Sequence, residues 1–222
     1  MSNLIFTLKS SVTQSIDCRV LTPDNIKGKT LDEVKVLHLN TQHRVGDVFD
    51  VAGEVSDHVM FKQSQPLLHH IGYQMKSGQI TIEGDAGDFI GAAMQGGVLI
   101  CKGNVGERAG DVMRRGMLLI EGNAGEYCAS SMKAGTLGVL GKTGARLGYG
   151  MKRGTLLLAH APEAQATWLD CGWHTLPFLN ILYKSFNTLD SKFSAFTQMR
   201  VQRFVGDVSG LGKAEMLVLS QD

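Results

Sequence analysis

Apolar and polar positions recur through the middle of the chain with a fixed period. Methionine followed three residues later by glycine stands at Met75/Gly78, Met94/Gly97, Met113/Gly116, Met132/Gly135 and Met151/Gly154, each start nineteen residues after the last. A second glycine column reads Gly84, Gly103, Gly122, Gly141, and a third Gly87, Gly106, Gly125, Gly144. A fourth reads Gly91, Gly110, Ala129, Gly148. Between the first two columns the sixth and eighth repeat positions are apolar: Ile80/Ile82, Leu99/Cys101, Leu118/Ile120, Leu137/Val139 and Leu156/Leu158. Period-two alternation marks a strand with one face inward. Glycine returns too soon for a helix of ordinary length, so each repeat reads as a β-coil.

Stacking identical coils about 4.8 Å apart turns each repeat position into a column. The methionine column is expected to face inward, where a flexible thioether fills irregular space. Glycine columns mark corners that need positive φ or a close approach between coils. Glu83, Lys102 and Glu121 alternate in sign, so vertical neighbours are expected to pair. The chain therefore reads as all-β, a single-stranded right-handed parallel β-helix with 19-residue coils. Left-handed β-helical acyltransferases keep a hexapeptide period, eighteen per coil, which this chain does not.

The pattern also sets expected boundaries within one domain spanning 1–222. Residues 1–45, with a short helix near 31–36, are expected to cap one end. Coils are expected over 46–160, the earliest at Phe49-Asp-Val51 and followed by an excursion loop near 58–70. Residues 161–222, rich in Trp, Phe and Tyr, are expected to cover the other end or a flank, since solenoid ends must be capped.

Composition narrows the class. The 222 residues are 43% hydrophobic and 19% charged with formal net charge +1, enough for one sizeable core and without the bulk charge of a nucleic-acid binder. No apolar run is long enough for a membrane span, and the opening residues are not a secretory signal. Cys18, Cys101, Cys128 and Cys171 lack CxxC spacing and read as free thiols, so a cytoplasmic location is expected. Cys101 and Cys128 occupy apolar columns and read as core.

Candidate chemistry mostly dissolves into the repeat. Gly138-Val-Leu-Gly141-Lys142-Thr143 resembles a phosphate-binding loop, but Thr136 stands where that motif needs its first glycine. The Gly84, Gly87, Gly91 spacing is wrong for a dinucleotide fingerprint and recurs in every coil. Of seven histidines (His38, His43, His58, His69, His70, His160, His174), the His69-His70 pair reads either as metal ligands or, preferably, as loop residues. No nucleophile stands beside a base, and no catalytic or metal-binding residue is assigned. Two features invite a binding role. Lys76, Gln95, Arg114-Arg115, Lys133 and Lys152-Arg153 align as a stripe, either a solvated corner or a track for an acidic surface or polyanion. Val98, Ile100, Met117 and Leu119 form an outward apolar patch, the mark of a protein contact or of a covering segment.

A family resemblance covers nearly the whole length, with the glycine-repeat coils similar to the family's middle. Leu21-Thr-Pro-Asp, Gly28-Lys-Thr-Leu-Asp-Glu33 and Gly46-Asp-Val-Phe-Asp-Val-Ala-Gly53 resemble the start of the C subunit of formylmethanofuran dehydrogenase. Gly206-Asp207 with Gly210-Leu-Gly212-Lys213-Ala214-Glu215 resembles its close, although the family usually has glycine where Ala214 stands. That family includes the C subunit of the bacterial formyltransferase/hydrolase complex and is related to the C-terminal domain of the glutamate synthase large subunit. The resemblance implies a scaffold subunit of a C1-transfer assembly, without an active site of its own, partnered by a formyltransferase subunit and a zinc amidohydrolase-like subunit. It implies no cofactor held by this chain alone. A methanofuran-like carrier would meet it in the complex, its glutamate chain facing Arg114, Arg115, Lys133, Lys152 and Arg153. A molybdenum or tungsten formylmethanofuran dehydrogenase is the alternative assembly, and a stand-alone β-helical enzyme a more distant one. Neither nucleic acid nor membrane is an expected partner.

Overall fold

The computed structural model describes residues 3–31, 34–38 and 41–220. In chain order the first part holds β1 (Leu4–Leu8), β2 (Ile16–Asp17), α1 (Pro23–Ile26), β3 (Lys35–His38), β4 (Thr41–Arg44), α2 (Val45–Val48) and β5 (Phe49–Ala52). The middle holds β6 (His58–Ser64), β7 (Leu68–His69), β8 (Gln79–Gly84), β9 (Val98–Cys101), β10 (Met117–Ile120), β11 (Thr136–Val139) and β12 (Arg153–Leu158). The last part holds β13 (Leu169–Thr175), α3 (Phe178–Phe186), a 3-10 turn at Lys192–Ala195, β14 (Arg200–Gly206) and β15 (Lys213–Leu219).

The sequence period is the sheet register. β8 to β12 pair in parallel, and every Cα partner lies nineteen residues on: Ile80↔Leu99, Leu99↔Leu118, Leu118↔Leu137, Leu137↔Leu156. A second line of parallel bridges joins Ala86, Val105, Ala124 and Thr143 at the same interval. All five repeat methionines and all five strand pairs are buried, none more than 1% exposed. Burying one such side chain stabilises by about 1.5–3 kcal/mol, so these columns form the main core.

The glycine columns divide by cause. Gly78, Gly97, Gly116, Gly135 and Gly154 have positive φ, where the chain turns into each strand. Gly122 has an ordinary φ but no room, since a Cβ there would lie 2.5 Å from the Gly103 carbonyl oxygen. One feature the sequence did not announce is a column of side-chain-bearing residues at positive φ: His70, Phe89, Arg108, Tyr127 and Arg146, all between 56° and 59°. Such a conformation costs non-glycine residues of order 1 kcal/mol or more. Here the N–H groups of Phe89, Arg108 and Tyr127 donate to the next coil at Glu107, Glu126 and Ala145 (2.9, 2.8 and 3.0 Å), which offsets that cost.

At the N-terminal end the structure corrects three expectations. Residues 58–64 are no excursion: β6 pairs with β8 through Val59↔Ile80 and Phe61↔Ile82, then shifts by one residue before Ser64↔Gly84. Gln63, at φ 53°, lies in that irregularity, across which the offset between the strands falls from 21 residues (Val59↔Ile80) to 20 (Ser64↔Gly84), so this coil does not keep the nineteen-residue period. Phe49-Asp-Val51 is not the first coil either, because β5 runs antiparallel to β1. Parallel pairing continues past β6 to β1 (Phe6↔Phe61) and past β7 to β2 (Ile16↔Leu68), so the N-terminal stretch adds a rung as well as closing the end. Of the helix expected near 31–36, Leu31 lies in a 3-10 turn, whereas Lys35 and Val36 belong to β3; residues 32 and 33 lie outside the described residues. Phe6, Phe49 and Phe61 fill this end with ring centroids 5.4–6.0 Å apart.

The tail both covers a flank and lengthens the sheet. β15 lies parallel to β12 (Leu156↔Met216), and β14 and β13 follow antiparallel. α3 buries Leu179, Tyr183 and Phe186, spaced i, i+4, i+7 on one face. These pack with Phe193 over the outward column Ile100, Leu119, Leu157 and Leu217 as a second apolar core. The outward position of β11 is Gly138, and Phe193 occupies the notch: a Cβ on Gly138 would lie 2.5 Å from Phe193 Cε1. The edge strand β13 satisfies part of its own backbone. Asp170 Oδ1 accepts from Gly172 N (2.7 Å), and His174 Nε2 donates to the Cys171 carbonyl (2.9 Å), beside a break in the β13–β14 register.

Asp207 terminates the stack. In the repeat, Ala93, Val112 and Ser131 donate N–H to Asp111, Ser130 and Tyr149 of the next coil. Gly150 has no next coil, and its N–H donates to Asp207 Oδ2 at 2.9 Å. Ser209 donates to Asp207 Oδ1 through its N–H and hydroxyl, at 2.9 and 2.6 Å. Burial pushes the Asp207 carboxyl up, but these donors and the Thr167 hydroxyl outweigh it and hold the group below its ordinary value. A depressed folded value gives stability above the ordinary aspartate range, about pH 4, and loses it as pH falls through the lower folded value. Asp207→Asn is expected to cost roughly 2 kcal/mol at neutral pH. Urea unfolding of both proteins should show the gap narrowing below about pH 4; a pH-independent gap would mean that charge is not involved.

Candidate interaction surface

The basic stripe forms as a column. Gln95, Arg114, Lys133 and Lys152 each donate their backbone N–H to the methionine carbonyl one coil back (Met75, Met94, Met113, Met132) at 2.7–2.8 Å. With that register fixed, Lys76, Arg114, Arg115, Lys133, Lys152 and Arg153 are all exposed. None of the six makes an ion pair among the described residues. The stripe gains a rung that sequence spacing could not supply: β15 places Lys213 opposite Arg153.

The apolar patch has a different fate. Ile100 and Leu119 are fully buried, and Val98 and Met117 half-buried, beneath the chain's own tail. The covering segment is internal, so this patch supplies no argument for a partner. The alternating charges expected to pair vertically hold the tail instead. Lys102 Nζ lies 2.6 Å from Asp190 Oδ2, and Glu121 accepts from the Ser191 hydroxyl and Lys192 N–H, both at 2.8 Å. Lys102 makes no direct ion pair with Glu83 or Glu121; Glu83 meets Lys62 at 4.0 Å.

The other candidates are structural. His69 Nδ1 accepts from Asp88 N (2.9 Å), and the His70 ring stacks on Phe89 at 5.0 Å. His70 Nδ1 comes within 3.4 Å of Asp17 Oδ2 but is not aligned for a hydrogen bond, and burial lowers its proton affinity. Among the described residues no three His, Cys, Asp or Glu side chains converge on a metal position. Lys142 N donates to Asn123 Oδ1 (2.8 Å), continuing a ladder from Asp85 through Asn104, so the loop-like Gly138 to Thr143 run is a repeat corner. Cys18, Cys101 and Cys128 are buried; burial raises the Cys18 thiol strongly and pushes Cys101 and Cys128 up to about 12. Cys171 is exposed. One fast-reacting thiol per native chain is therefore expected with a disulfide reagent, and four after denaturation; loss of the fast phase in Cys171→Ser checks its source.

No family model matches the chain. Curated relatives do. It is 31% identical over 100 residues to the C subunit of tungsten-containing formylmethanofuran dehydrogenase 2 from Methanothermobacter wolfeii, covering 41% of this chain and 37% of that protein. It is 32% identical over 95 residues to the same-named protein of a Methanococcus maripaludis strain, covering 40% and 35%. Over those residues the chain is similar to the formylmethanofuran dehydrogenase C subunit. The match spans less than two fifths of the length of those dehydrogenase proteins. The likeness in fold reaches further. One component of the formyltransferase/hydrolase complex (FhcABCD) from Methylorubrum extorquens, solved with methylofuran, superposes with a TM-score of 0.67 at 23% identity, covering 98% of this chain and all of that one. Among the described residues no helix is long and apolar enough to cross a membrane, which says nothing of β-barrels.

Proposed function

We propose that the chain is the C subunit, a non-catalytic scaffold, of a hetero-oligomeric formyltransferase/hydrolase complex that converts formyl-tetrahydromethanopterin to formate through a methanofuran-like carrier. The observation that carries this reading is end-to-end coverage. Shared fold extends over 98% of this chain and 100% of its neighbour in such a complex; to the dehydrogenase subunit the likeness is one of sequence, over 37% of its length. Zinc amidohydrolase-like and formyltransferase subunits are the partners, in the cytoplasm. The nineteen-residue units wind as a right-handed parallel β-helix within one domain, with residues 161–222 as a closing tail.

The exposed column Arg114, Arg115, Lys133, Lys152 and Arg153 is the surface offered to the assembly. Its rungs stand about 4.8 Å apart, a geometry suited to a chain of carboxylates such as an oligoglutamate carrier. Unaltered carrier affinity of the complex after charge reversal at Arg114, Lys133 and Lys152 would remove the carrier from this surface. The function itself is tested by purifying the tagged protein from its native host, identifying associated subunits by mass spectrometry and assaying formyl transfer. Molybdopterin and iron–sulfur partners would move the chain to the dehydrogenase, and an active chain purifying alone would overturn the scaffold reading.

A further inference from the structure

The C-terminal end of the stack combines two features, the last rungs of the cationic column and an apolar turn that lies outside the repeat. The first is charge. Lys152 and Arg153 close the cationic stripe, and β15 sets Lys213 opposite Arg153. All three are exposed and free of ion pairs among the described residues. The nearest carboxylate on β15, Glu215, is engaged by Thr155 (2.8 Å) and Arg203 (3.4 Å). The second is apolar. The turn before Lys213 presents Val208 and Leu211, 44% and 55% exposed. That turn is held in place: the Asp207 carbonyl accepts from Gly210 N and Gly212 N, Val208 N donates to Thr167 O, and the Asp207 side chain ties to Gly150. Ordinary flexible tips do not have this support.

We propose that Lys152, Arg153, Lys213, Val208 and Leu211 form a docking face for the acidic surface of a partner subunit. This proposal rests on the scaffold reading given above. Three exposed cations without ion pairs complement a negative surface, and two apolar side chains held exposed beside them complement an apolar pocket in it. A nucleic acid would meet the charges but leave Val208 and Leu211 without a counterpart. Strand addition is not the mode, because the neighbouring edge strand β13 caps part of its own backbone.

The test uses the tagged full-length chain purified with its complex. Zero-length carbodiimide coupling joins lysine amines to carboxylates only in direct contact, and mass spectrometry is expected to link Lys152 and Lys213 to Asp or Glu of one partner subunit. The triple variant Lys152→Glu, Arg153→Glu, Lys213→Glu, and separately Leu211→Ser, should each retain the wild-type melting behaviour. The triple variant should lose partner retention by about tenfold or more, most visibly at low salt, and the leucine variant by a smaller factor independent of salt. Wild-type retention in both variants, or crosslinks confined to other lysines, overturns the docking face while leaving the scaffold reading intact. A wild-type chain that purifies alone overturns both. Retention of the chain on single- or double-stranded DNA or RNA that the triple variant abolishes, with no lysine–carboxylate crosslink, replaces the partner protein by nucleic acid.

Discussion

Gly122→Ala is expected to destabilise the protein by roughly 3 kcal/mol or to prevent folding, although it adds one methyl group to a surface corner. A Cβ at residue 122 would stand 2.5 Å from the carbonyl oxygen of Gly103, 2.6 Å from its carbon and 2.7 Å from Asn104 N. All three are backbone atoms of the coil below, so no rotamer change relieves the clash. The coils must separate locally, against the Gly122 N–H to Gly103 carbonyl bond at 3.1 Å and the ladder on either side. Overpacking of a rigid interior typically costs about 1–3 kcal/mol, and the fixed spacing puts this site at or beyond the upper end. Gly46 is the control. Nothing lies within 4 Å of a Cβ there and its φ is ordinary, so Gly46→Ala should be neutral or slightly stabilising through the unfolded state. Equal melting temperatures for Gly122→Ala and wild type would show that the coils are not in close backbone contact.

The second large effect concerns the tail. Phe193→Ala should cost about 3–5 kcal/mol, the usual range for removing a buried phenyl ring. Phe193 is fully buried, meets Phe186 and Phe196 at 5.7 and 5.4 Å, and fills the notch above Gly138. The consequence should be local first. The region between Leu176 and Met199 should become sensitive to protease while the coils persist, exposing Ile100, Leu119 and Leu157 and promoting aggregation. Gly138→Leu approaches the same contact from the other side, placing atoms where the ring sits, and should reproduce the protease sensitivity. Resistance of both variants to limited proteolysis would mean that the tail is held without this contact.

How much of this was legible depends on whether a contact repeats. Met113, Leu118 and Ile120 announced their burial because equivalent residues recur nineteen positions away, and the register Leu99↔Leu118↔Leu137 follows from that spacing. Contacts made once leave no such trace. Gly138 reads as part of a loop motif until Phe193, fifty-five residues later, is seen above it. Lys102 and Glu121 read as partners of each other, but the tail offers Asp190 and Ser191 at shorter range. The coil at β6 is not visible in the period because it stands 21 and then 20 residues before its partner (Val59↔Ile80, Ser64↔Gly84). For the candidate surface, the six cations through Arg153 were visible as a column, and Lys213 was not, since β15 reaches its place by an excursion through α3 and β14. The outward apolar patch was visible as apolar, but composition could not tell an internal cover from an external one.

A stack of identical units is, in polymer terms, a growing chain: whatever binds the last unit creates an equivalent end for the next. Hydrogen-bonding groups left open at that end would nucleate fibrils as readily as they build the fold. Asp207 acts as a chain stopper, because its carboxylate satisfies the Gly150 N–H without offering another N–H in the same place. The self-bonded edge at Asp170, Gly172 and His174 does the same for the lengthened sheet. The molecule is thus a one-dimensional crystal of fixed length, and the residues that end it set its solubility as much as its stability.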